Sequence, residues 1–551
     1  MDIAWDPPGP GTWELDRSHF APTVSRLMID LMESTASQGV REGMDIVGAP
    51  LDTMDVRFVN GQMYRRLVPI IGGASATKRP PPAALVRAVF AVHPRLRRRV
   101  RTAGAAMTER SWRAEAERWE QEWKPELVAA NRRLAAIDHT ALDDADLAMH
   151  LDTCVDHLAR SMVLHFRLHI SDLGPIGRLL NRTDEWGIDR VLVMSSLAGA
   201  SPSTSEPKDA LRPLAALLSE HGVTPATLDE VRSVGVEAER LLDAYLLDYG
   251  TRLTTGYDLT DRTLGELPHI TLTSLADPML LEAESSADRA SARGDAALHT
   301  VRVHVPEGSR DEFDELIDDA RRLYGLRDEN GPLTVEWPGG VTRLVILEVG
   351  RRLAAAGRLL HQDHVADLSG EEMSAALRGQ VGPKAEAVAT RHDVRVARNE
   401  LVSPAFLGPE PVEPDLASLP SEMREMMQIT VSVLELLEAA PGGSTLTGTG
   451  IGTETYAGVA RVVVDAADAI DRVEPGDVVV TQFTAPTFNS ILAIAGAVVT
   501  EHGGLLCHTA VIARELGIAG IVGVSGALDI PDGARVEVNP SAGTVQLLEA
   551  F

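Results

Sequence analysis

The segment HGGLLCHTAVIAREL, residues 502–516, places a Gly-Gly pair, a cysteine and a histidine directly before a stretch with helical apolar spacing. An imidazole at the start of a helix faces backbone N–H groups without partners inside the helix, so His508 could hold an anion there. A thiol next to an imidazole could instead make Cys507 a nucleophile. Because adjacent residues at a helix start point in different directions, we favour chemistry at the imidazole. A histidine that only fills the core is the remaining interpretation.

A second pair of histidines lies in LDTCVDHLARSMVLHFRLHI, residues 151–170. His165 and His169 fall on one helical stripe with four- and three-residue spacing, whose other members are Leu151, Val155, Leu158 and Met162. Two core histidines bonded to backbone carbonyls would explain this pattern. Alternatively the pair lines an internal cavity, and one of the two imidazoles is a general base for a hydroxyl group.

Charge and lysine content exclude several classes of ligand. The chain has a formal charge of −28, which disfavours nucleic acid and anionic membranes because both bind cationic surfaces. The arginine-rich run HPRLRRRVRTAG could dock an acidic partner or a phosphate, although a solvated helix face is the simpler explanation. Lysine occurs only at 78, 124, 208 and 384, and no P-loop motif is present, so we predict no ATP site in this chain. We also predict no metal site.

The length of the chain predicts several domains, and its amino terminus, apolar runs and cysteines predict where the protein is located. A chain of 551 residues is too long for one hydrophobic core, so two or three domains are expected. The amino terminus lacks a basic segment followed by an apolar one, and the apolar run 491–499 is about half of a membrane span, so we predict a cytoplasmic protein. The two cysteines, Cys154 and Cys507, do not suggest a disulfide framework.

The texture of the sequence changes along the chain. Residues 1–80 predict an irregular lobe with a hairpin at Asn60-Gly61. Residues 81–440 predict mainly helices, with a core stripe at Trp112, Trp119 and Trp123 and a capping box from Ser369 to Glu372. The glycine- and threonine-rich stretch 441–452 predicts a hinge, and 453–551 alternate short strands and helices. The expected fold class is therefore a mainly α-helical domain followed by a compact α/β domain.

The segment GGLLCHTAVIARELGIAGIVGV resembles the phosphohistidine motif of the swivelling domain in phosphoenolpyruvate (PEP)-utilising enzymes, and the resemblance covers about 448–551. The matching positions are Gly503, Gly504, His508, Ala510, Ala513, Arg514, Glu515, Gly517, Ile518 and Gly523. Upstream, EPGDVVVTQFTAPTFNSILAIAGAVVTEHGG matches the Gly-Asp-Val, Thr-x-Pro and Val-Val-Thr segments of the same domain. The resemblance implies that His508 is a phosphohistidine.

The same resemblance implies a set of phosphate-binding residues. Gly503 and Gly504 let the backbone approach the phosphoryl group, Thr509 donates a hydroxyl, and Arg514 screens charge. An ion pair on the helix surface is the alternative for Arg514. The chain departs from the motif at two positions, because Cys507 replaces a serine or threonine and Ala519 replaces a proline. A cysteine is a small side chain with a weak S–H donor, so we include Cys507 in the set.

The helical part resembles, more weakly, the acceptor-binding portion of rifampin phosphotransferase-like proteins, through RLVILEVGRRLAAAGRLLHQDHVADLSGEEMSAALRG and TLGELPHITLTSL. The resemblance implies a donor acting in trans, as in phenylphosphate synthase and the cresol phosphate synthases. An ATP-grasp subunit would bind ATP and Mg²⁺, convert ATP to AMP and phosphate, and phosphorylate His508, so this chain itself holds no cofactor. Arg167, Arg343, Arg351 and Arg352 are candidates to steady the transferring phosphoryl group, although solvated helix charge explains each of them as well.

These inferences predict a dikinase-type phosphotransferase subunit. It would carry phosphate on His508 to a small aromatic hydroxyl compound such as a phenol or cresol, with His165 or His169 as the general base. A non-catalytic phosphorelay module is one alternative. Transient activation of a hydroxyl before dehydration or condensation is another.

Overall fold

We analysed a computed structural model that describes residues 4–16, 20–71, 82–410, 416–437, 446–484 and 488–548. The chain divides into two compact units. The first unit comprises residues 1–171, 257–261 and 333–428, and the second comprises 172–256, 262–332 and 429–551. The expected combination of α and α/β structure is confirmed at the level of class.

Within the described ranges, the helices are α1 (Arg26–Val47), α2 (Ala83–Val92), α3 (Pro94–Glu109), α4 (Trp112–Arg118), α5 (Lys124–Ala135), α6 (Asp144–Leu168), α7 (Leu173–Glu185), α8 (Arg190–Ser195), α9 (Glu206–Asp209), α10 (Arg212–Glu220), α11 (Leu228–Ser233), α12 (Val236–Tyr245), α13 (Pro268–Leu275), α14 (Ser286–His304), α15 (Arg310–Gly331), α16 (Trp337–Ala355), α17 (Gly370–Leu377), α18 (Ala385–Ala397), α19 (Ser421–Leu437), α20 (Ala466–Arg472), α21 (Asn489–Leu492) and α22 (His508–Leu516). None of these described helices is long and apolar enough to cross a lipid bilayer.

The strands are β1 (Trp13–Asp16), β2 (Leu51–Val59), β3 (Gln62–Pro69), β4 (Phe406–Leu407), β5 (Thr449–Ile451), β6 (Tyr456–Val462), β7 (Val478–Thr481), β8 (Ala497–Thr500), β9 (Ala519–Val522), β10 (Arg535–Asn539) and β11 (Thr544–Leu547). They form a four-stranded sheet of order β2-β3-β1-β4 and a seven-stranded sheet of order β11-β10-β6-β7-β8-β9-β5.

The first unit is built around α6, against which α1, α16 and α17 pack. Helix α1 approaches α6 so closely that a Cβ on Gly39 would lie 2.3 Å from the carbonyl oxygen of Val163. The predicted hairpin is confirmed, because Asn60 and Gly61 both have positive φ between the paired residues Val59 and Gln62. The expectation of an irregular lobe over 1–80 is corrected, since this stretch contains the 22-residue helix α1.

Of two finer predictions for the helical part, the capping box is confirmed and the tryptophan core stripe is confirmed at two of its three positions. Ser369 and Glu372 form the expected capping box at the start of α17. Trp112 and Trp119 are buried, whereas Trp123 is partly exposed and stacks on the guanidinium groups of Arg118 and Arg167. The tryptophan stripe is therefore a packing feature.

The second unit combines α7–α15 with the seven-stranded sheet. Strands β6, β7, β8 and β9 run parallel, and their central members are buried on both faces, as continuous runs of valine indicate. One face, including Val479 and Val498, shares a hydrophobic core with the helices, while Val478 and Val480 contribute to a separate core on the other face. The alternation of short strands and helices predicted for 453–551 is confirmed, since the described part of this range contains the six strands β6–β11.

The predicted hinge at 441–452 needs a correction in its second half. Residues 441–445 lie outside the described residues, but β5 pairs antiparallel with β9, and the Gly448 N–H donates to the Gly543 carbonyl. Residues 446–452 are therefore an edge of the sheet. The predicted helical domain 81–440 also differs from the compact units, because residues 172–256 and 262–332 cluster with the sheet.

The close packing of β5 gives a first prediction. A Cβ on Gly450 would lie 1.8 Å from the Pro540 carbonyl oxygen, whereas a Cβ on Gly452, which has φ of 88°, meets nothing nearer than 3.6 Å. We expect Gly450→Ala to lower the free energy of unfolding by about 2–3 kcal/mol and Gly452→Ala by only about 1 kcal/mol. Urea denaturation followed by circular dichroism measures both values, and equal losses would contradict an ordered β5.

Candidate functional site

The site lies where parallel strands end. His508 is the first residue of α22, which follows β8, and Thr484 lies in the loop after the neighbouring strand β7. The carboxyl ends of adjacent parallel strands meet at one edge of a sheet, where ligands of open α/β sheets bind. The topology therefore brings together two side chains that are 24 residues apart in sequence.

Hydrogen bonds hold both ring nitrogens of His508. Nδ1 lies 2.8 Å from Thr484 Oγ1, and Nε2 lies 2.8 Å from Asn489 Oδ1. Thr484 Oγ1 in turn lies 2.8 Å from the hydroxyl of the buried Thr509. The ring is thus fixed in orientation by three uncharged side chains.

The imidazole is uncharged at neutral pH. Burial lowers the pKa of His508 to about 3, and the nearby positive charge of Arg327 acts in the same direction. The residue is nevertheless partly exposed to solvent. A neutral imidazole keeps a lone pair on one nitrogen, so this ring can act as a nucleophile without first losing a proton.

Cys507 is the N-cap residue of α22, and its thiol stays protonated. Burial raises the pKa of Cys507 above its ordinary value, and the N–H groups of Ala510 and Thr509 offset this only in part. A nucleophilic cysteine requires a lowered pKa. The environment therefore disfavours the alternative in which Cys507 attacks a substrate.

The two glycines before the helix have local structural roles. Gly503 has φ of 120°, and a Cβ there would lie 2.7 Å from Cys507 Sγ. The Gly504 carbonyl accepts a hydrogen bond from the Cys507 N–H at 3.1 Å. The positive φ and the contact with Cys507 are enough to require glycine at position 503. The predicted approach of a phosphoryl group would be a second reason.

The Arg514 side chain is buried and does not form the surface ion pair considered as an alternative. Its guanidinium donates to the Tyr324 hydroxyl at 2.9 Å and to the Leu505 carbonyl at 3.2 Å. It therefore connects α22 to α15 and supports the loop that precedes His508. Its predicted screening of phosphoryl charge stays a prediction.

Glu515, next to Arg514, is buried inside the second unit. Its Oε2 accepts the Gly199 N–H at 3.0 Å, while Oε1 has no hydrogen-bond partner. Burial raises the pKa of Glu515 to about 8. Arg293 binds the backbone carbonyls of Arg514 and Glu515, so the end of α22 is anchored by backbone contacts as well.

The predicted acceptor residues lie in the first unit, whereas His508 lies in the second. His165 Nδ1 lies 3.1 Å from Thr334 Oγ1, and the rings of His165 and His169 are 4.4 Å apart between centroids. Both are partly buried, so the structure brings these two imidazoles together. Their predicted role as general base stays a prediction.

The four predicted phosphoryl-binding arginines make structural contacts in the first unit. Arg167 forms a two-bond ion pair with Glu115, and the Arg343 guanidinium donates to the Leu259 carbonyl. Arg351 and Arg352 both bind Glu348, and Arg351 is the main reason why the pKa of Glu348 falls to about 2. Solvated helix charge is therefore wrong for Arg343, which is buried, and the predicted role of the four arginines at the phosphoryl group stays a prediction.

Sequence reasoning missed Thr484, Asn489 and Arg327. Thr484 belongs to the Thr-x-Pro segment FTAPTF, which could have identified it, because that segment matched the swivelling domain. Asn489 and Arg327 have no comparable motif. Both cysteines are free, and among the described residues no group of three or more metal-ligating side chains is arranged to hold a metal ion.

Glu515 gives a prediction for pH dependence. Its folded pKa of about 8 is above its ordinary value of 4.5. The free energy of unfolding therefore falls as pH rises from 4.5 to 8, because the unfolded chain loses this proton more readily than the folded chain. We expect Glu515→Gln to keep the bond to Gly199 and to remove roughly 3 kcal/mol of this loss between pH 5 and 8. Urea denaturation at several pH values measures the difference from wild type, with Glu474→Gln as the exposed control. A parallel pH profile in wild type and Glu515→Gln would contradict a protonated Glu515.

Family models match two segments of the second unit. The model of the PEP-utilising enzyme mobile domain matches residues 473–543, which include His508. The model of the rifampicin phosphotransferase fourth domain matches residues 176–328, which include Arg327. The site described above therefore lies where the two matched segments contact each other.

Three relatives illustrate the extent of similarity. Rifampicin phosphotransferase of Streptomyces sp is 31% identical over 58% of this chain and 36% of the relative. Phosphoenolpyruvate synthase of Escherichia coli is 43% identical over 17% of this chain and 12% of the relative. Chondramide synthase cmdD of Chondromyces crocatus is 27% identical over 99% of this chain and 14% of the relative.

The chain spans about a third of the length of the rifampicin phosphotransferases that it matches. The similarity to the phosphoenolpyruvate synthase is confined to a short segment, whereas that to the Streptomyces protein extends over more than half of this chain. The matches to the mobile domain and to the rifampicin phosphotransferase fourth domain support the PEP-utilising, rifampicin phosphotransferase-like family that the motif around His508 resembles.

Proposed function

We propose that this protein is a phosphotransferase that carries a phosphoryl group on His508 to the hydroxyl of a small aromatic acceptor. The observation that supports it most is the state of the His508 ring, which is neutral, partly exposed and hydrogen bonded at both nitrogens. Relatives named rifampicin phosphotransferase and phosphoenolpyruvate synthase support phosphoryl transfer as the class of reaction.

The reaction has two steps at one nitrogen. In the first, the imidazole lone pair attacks phosphorus of the donor, an N–P bond forms, and the bond from phosphorus to the donor oxygen breaks. In the second, the acceptor hydroxyl attacks phosphorus, the N–P bond breaks, and a base takes the hydroxyl proton. We propose an ATP-grasp subunit that binds ATP and Mg²⁺ as the donor. Attack at the β-phosphorus releases AMP, and water then cleaves the β–γ bond, which releases phosphate and leaves one phosphoryl group on His508.

The structure offers candidates for the base and for the acceptor class. His165 and His169 are partly buried imidazoles in edge-to-face contact on an otherwise apolar stripe at the end of α6, which suits a phenol or cresol. With its Nδ1–H donating to Thr334 Oγ1, a neutral His165 ring would carry its lone pair on Nε2, the nitrogen that would take the hydroxyl proton. The acceptor and its base are proposed on this chemistry.

One alternative has a specific observation in its favour. The similarity to a protein named chondramide synthase covers both compact units of this chain. That favours a variant of the proposal in which the phosphoryl group only activates a hydroxyl during a synthesis. The released product distinguishes the two, because a stable phosphate ester accumulates only in simple phosphorylation.

His508→Asn tests the carrier directly. We expect wild type incubated with [β-³²P]ATP and the candidate ATP-grasp partner to gain acid-labile label, and His508→Asn to gain none because it has no nucleophilic ring nitrogen. His502→Asn removes an exposed histidine six residues away and is the matched control. Mass spectrometry locates the label, and label retained in His508→Asn would overturn the carrier role. Adding phenol or 4-cresol should then discharge the wild-type label into a phosphate monoester.

Thr484→Val tests the positioning of the ring. Removing the hydroxyl frees Nδ1 from its partner and mixes the two neutral tautomers, so we expect about tenfold slower phosphorylation of His508. Thr481→Val is the control, because Thr481 is a buried threonine three residues away whose hydroxyl has no hydrogen-bond partner. Rates of labelling measure both variants, and an equal effect of the two substitutions would contradict a positioning role.

A further inference from the structure

Helix α15 is linked to the mobile-domain helix α22 by a hydrogen bond. The Tyr324 hydroxyl accepts a hydrogen bond from Arg514 at 2.9 Å. Asp328 accepts hydrogen bonds from Ser203 and Thr204, at 2.8 and 2.6 Å, in a turn that itself packs on α22. Residues spaced by three and four share a helix face, so Arg327 lies on the same face as Tyr324 and Asp328.

The Arg327 guanidinium has more N–H donors than its bond to Asp172 uses. Its Nη1 binds Asp172 Oδ2 at 3.0 Å, and its side chain is 22% exposed, whereas the Asp172 side chain is fully buried. A guanidinium has five N–H donors, so one bond to Asp172 leaves others for a second anion. The guanidinium charge also acts on the His508 imidazole, since it adds to burial in lowering the pKa of that ring.

A phosphoryl group on His508 would need such a cation. It brings about two negative charges into a partly buried site. The groups that bind the ring, Thr484 and Asn489, are uncharged, and the N-terminus of α22 supplies only about half a positive charge. Arg514 is already bound to Tyr324 and to the Leu505 carbonyl.

We propose that Arg327 binds the phosphoryl group on His508 while the mobile domain lies against α15, and thereby protects the phosphorylated form from hydrolysis. This role rests on the proposed function. It assigns to the segment matched by the rifampicin phosphotransferase fourth domain a binding site for phosphohistidine. The unphosphorylated chain uses the same arginine to neutralise the buried Asp172.

Phosphoramidate provides a test that needs no partner protein. An imidazole nitrogen of His508 attacks its phosphorus, the P–N bond of phosphoramidate breaks, and ammonia leaves with the proton that the ring loses. After removal of the reagent, ³¹P NMR and mass spectrometry measure how fast phosphate is lost from His508. We expect Arg327→Gln to shorten the half-life about tenfold, because it removes a hydrogen bond to a charged group.

Two further variants separate this role from a general loss of structure. Arg327→Lys keeps the positive charge for Asp172, so we expect it to remain folded and to shorten the half-life less than Arg327→Gln. Arg322→Gln removes an exposed arginine from the same helix and should leave the half-life unchanged. Arg327→Gln should also raise the pKa of the His508 ring, measured by NMR, because a positive charge is removed.

The outcomes distinguish this role from the proposed function. Wild type that gains no phosphate on His508 would contradict the carrier itself. Wild type that is phosphorylated, with half-lives of Arg327→Gln and Arg327→Lys within twofold of its own, would overturn only the role of Arg327. A shortened half-life in Arg322→Gln equal to that in Arg327→Gln would also overturn it, since the effect would then be one of net charge.

Discussion

The proposed phosphoryl transfer depends on keeping the imidazole of His508 uncharged while the ring remains partly exposed to solvent. Burial alone would do the first, but it would also close the ring off from a donor. The second unit combines the two by placing His508 at the carboxyl edge of a parallel sheet, partly exposed, with neutral partners on both nitrogens. The neighbouring positive charge of Arg327 strengthens the preference for the neutral ring. Arg327 repels a proton on the free ring, but the same positive charge would attract the two negative charges of a phosphoryl group on His508.

In the second unit, a set of side-chain hydrogen bonds fixes α22 in place. Arg514 reaches Tyr324, Glu515 accepts the Gly199 N–H, and Arg293 binds the last carbonyls of the helix. Gly517, which ends α22 with positive φ, also leaves space for Arg293, since a Cβ there would lie 2.7 Å from its guanidinium carbon. The Ala-Arg-Glu and glycine positions of the motif thus serve docking against the helices as much as the chemistry at His508.

The two compact units divide the proposed reaction. The proposed carrier His508 and Arg327 lie in the second unit, and the edge-to-face pair His165 and His169 at the end of α6 lies in the first. Helix α6 also contains His157, whose pKa burial lowers to about 4 and whose Nε2 is 2.7 Å from Asn131 Oδ1. His157 is the kind of satisfied core histidine that was considered for His165 and His169, and it occurs on the same helix two turns earlier.

The sequence by itself determined the local structure that depends on neighbouring residues. The Asn60-Gly61 hairpin, the Ser369 capping box, the six strands after residue 453 and the place of His508 at a helix start all follow from short patterns. The hinge prediction failed over 446–452 because glycine and threonine suit an edge strand under close backbone contact as well as a flexible linker. Tertiary structure decided which distant groups meet. Asn489 lies at the ring, the charge of Arg327 acts on it, and Glu115 and the Leu259 carbonyl bind Arg167 and Arg343. The physical reason is that pairing of charges and burial of a titratable ring depend on three-dimensional neighbours, which no spacing along the chain encodes.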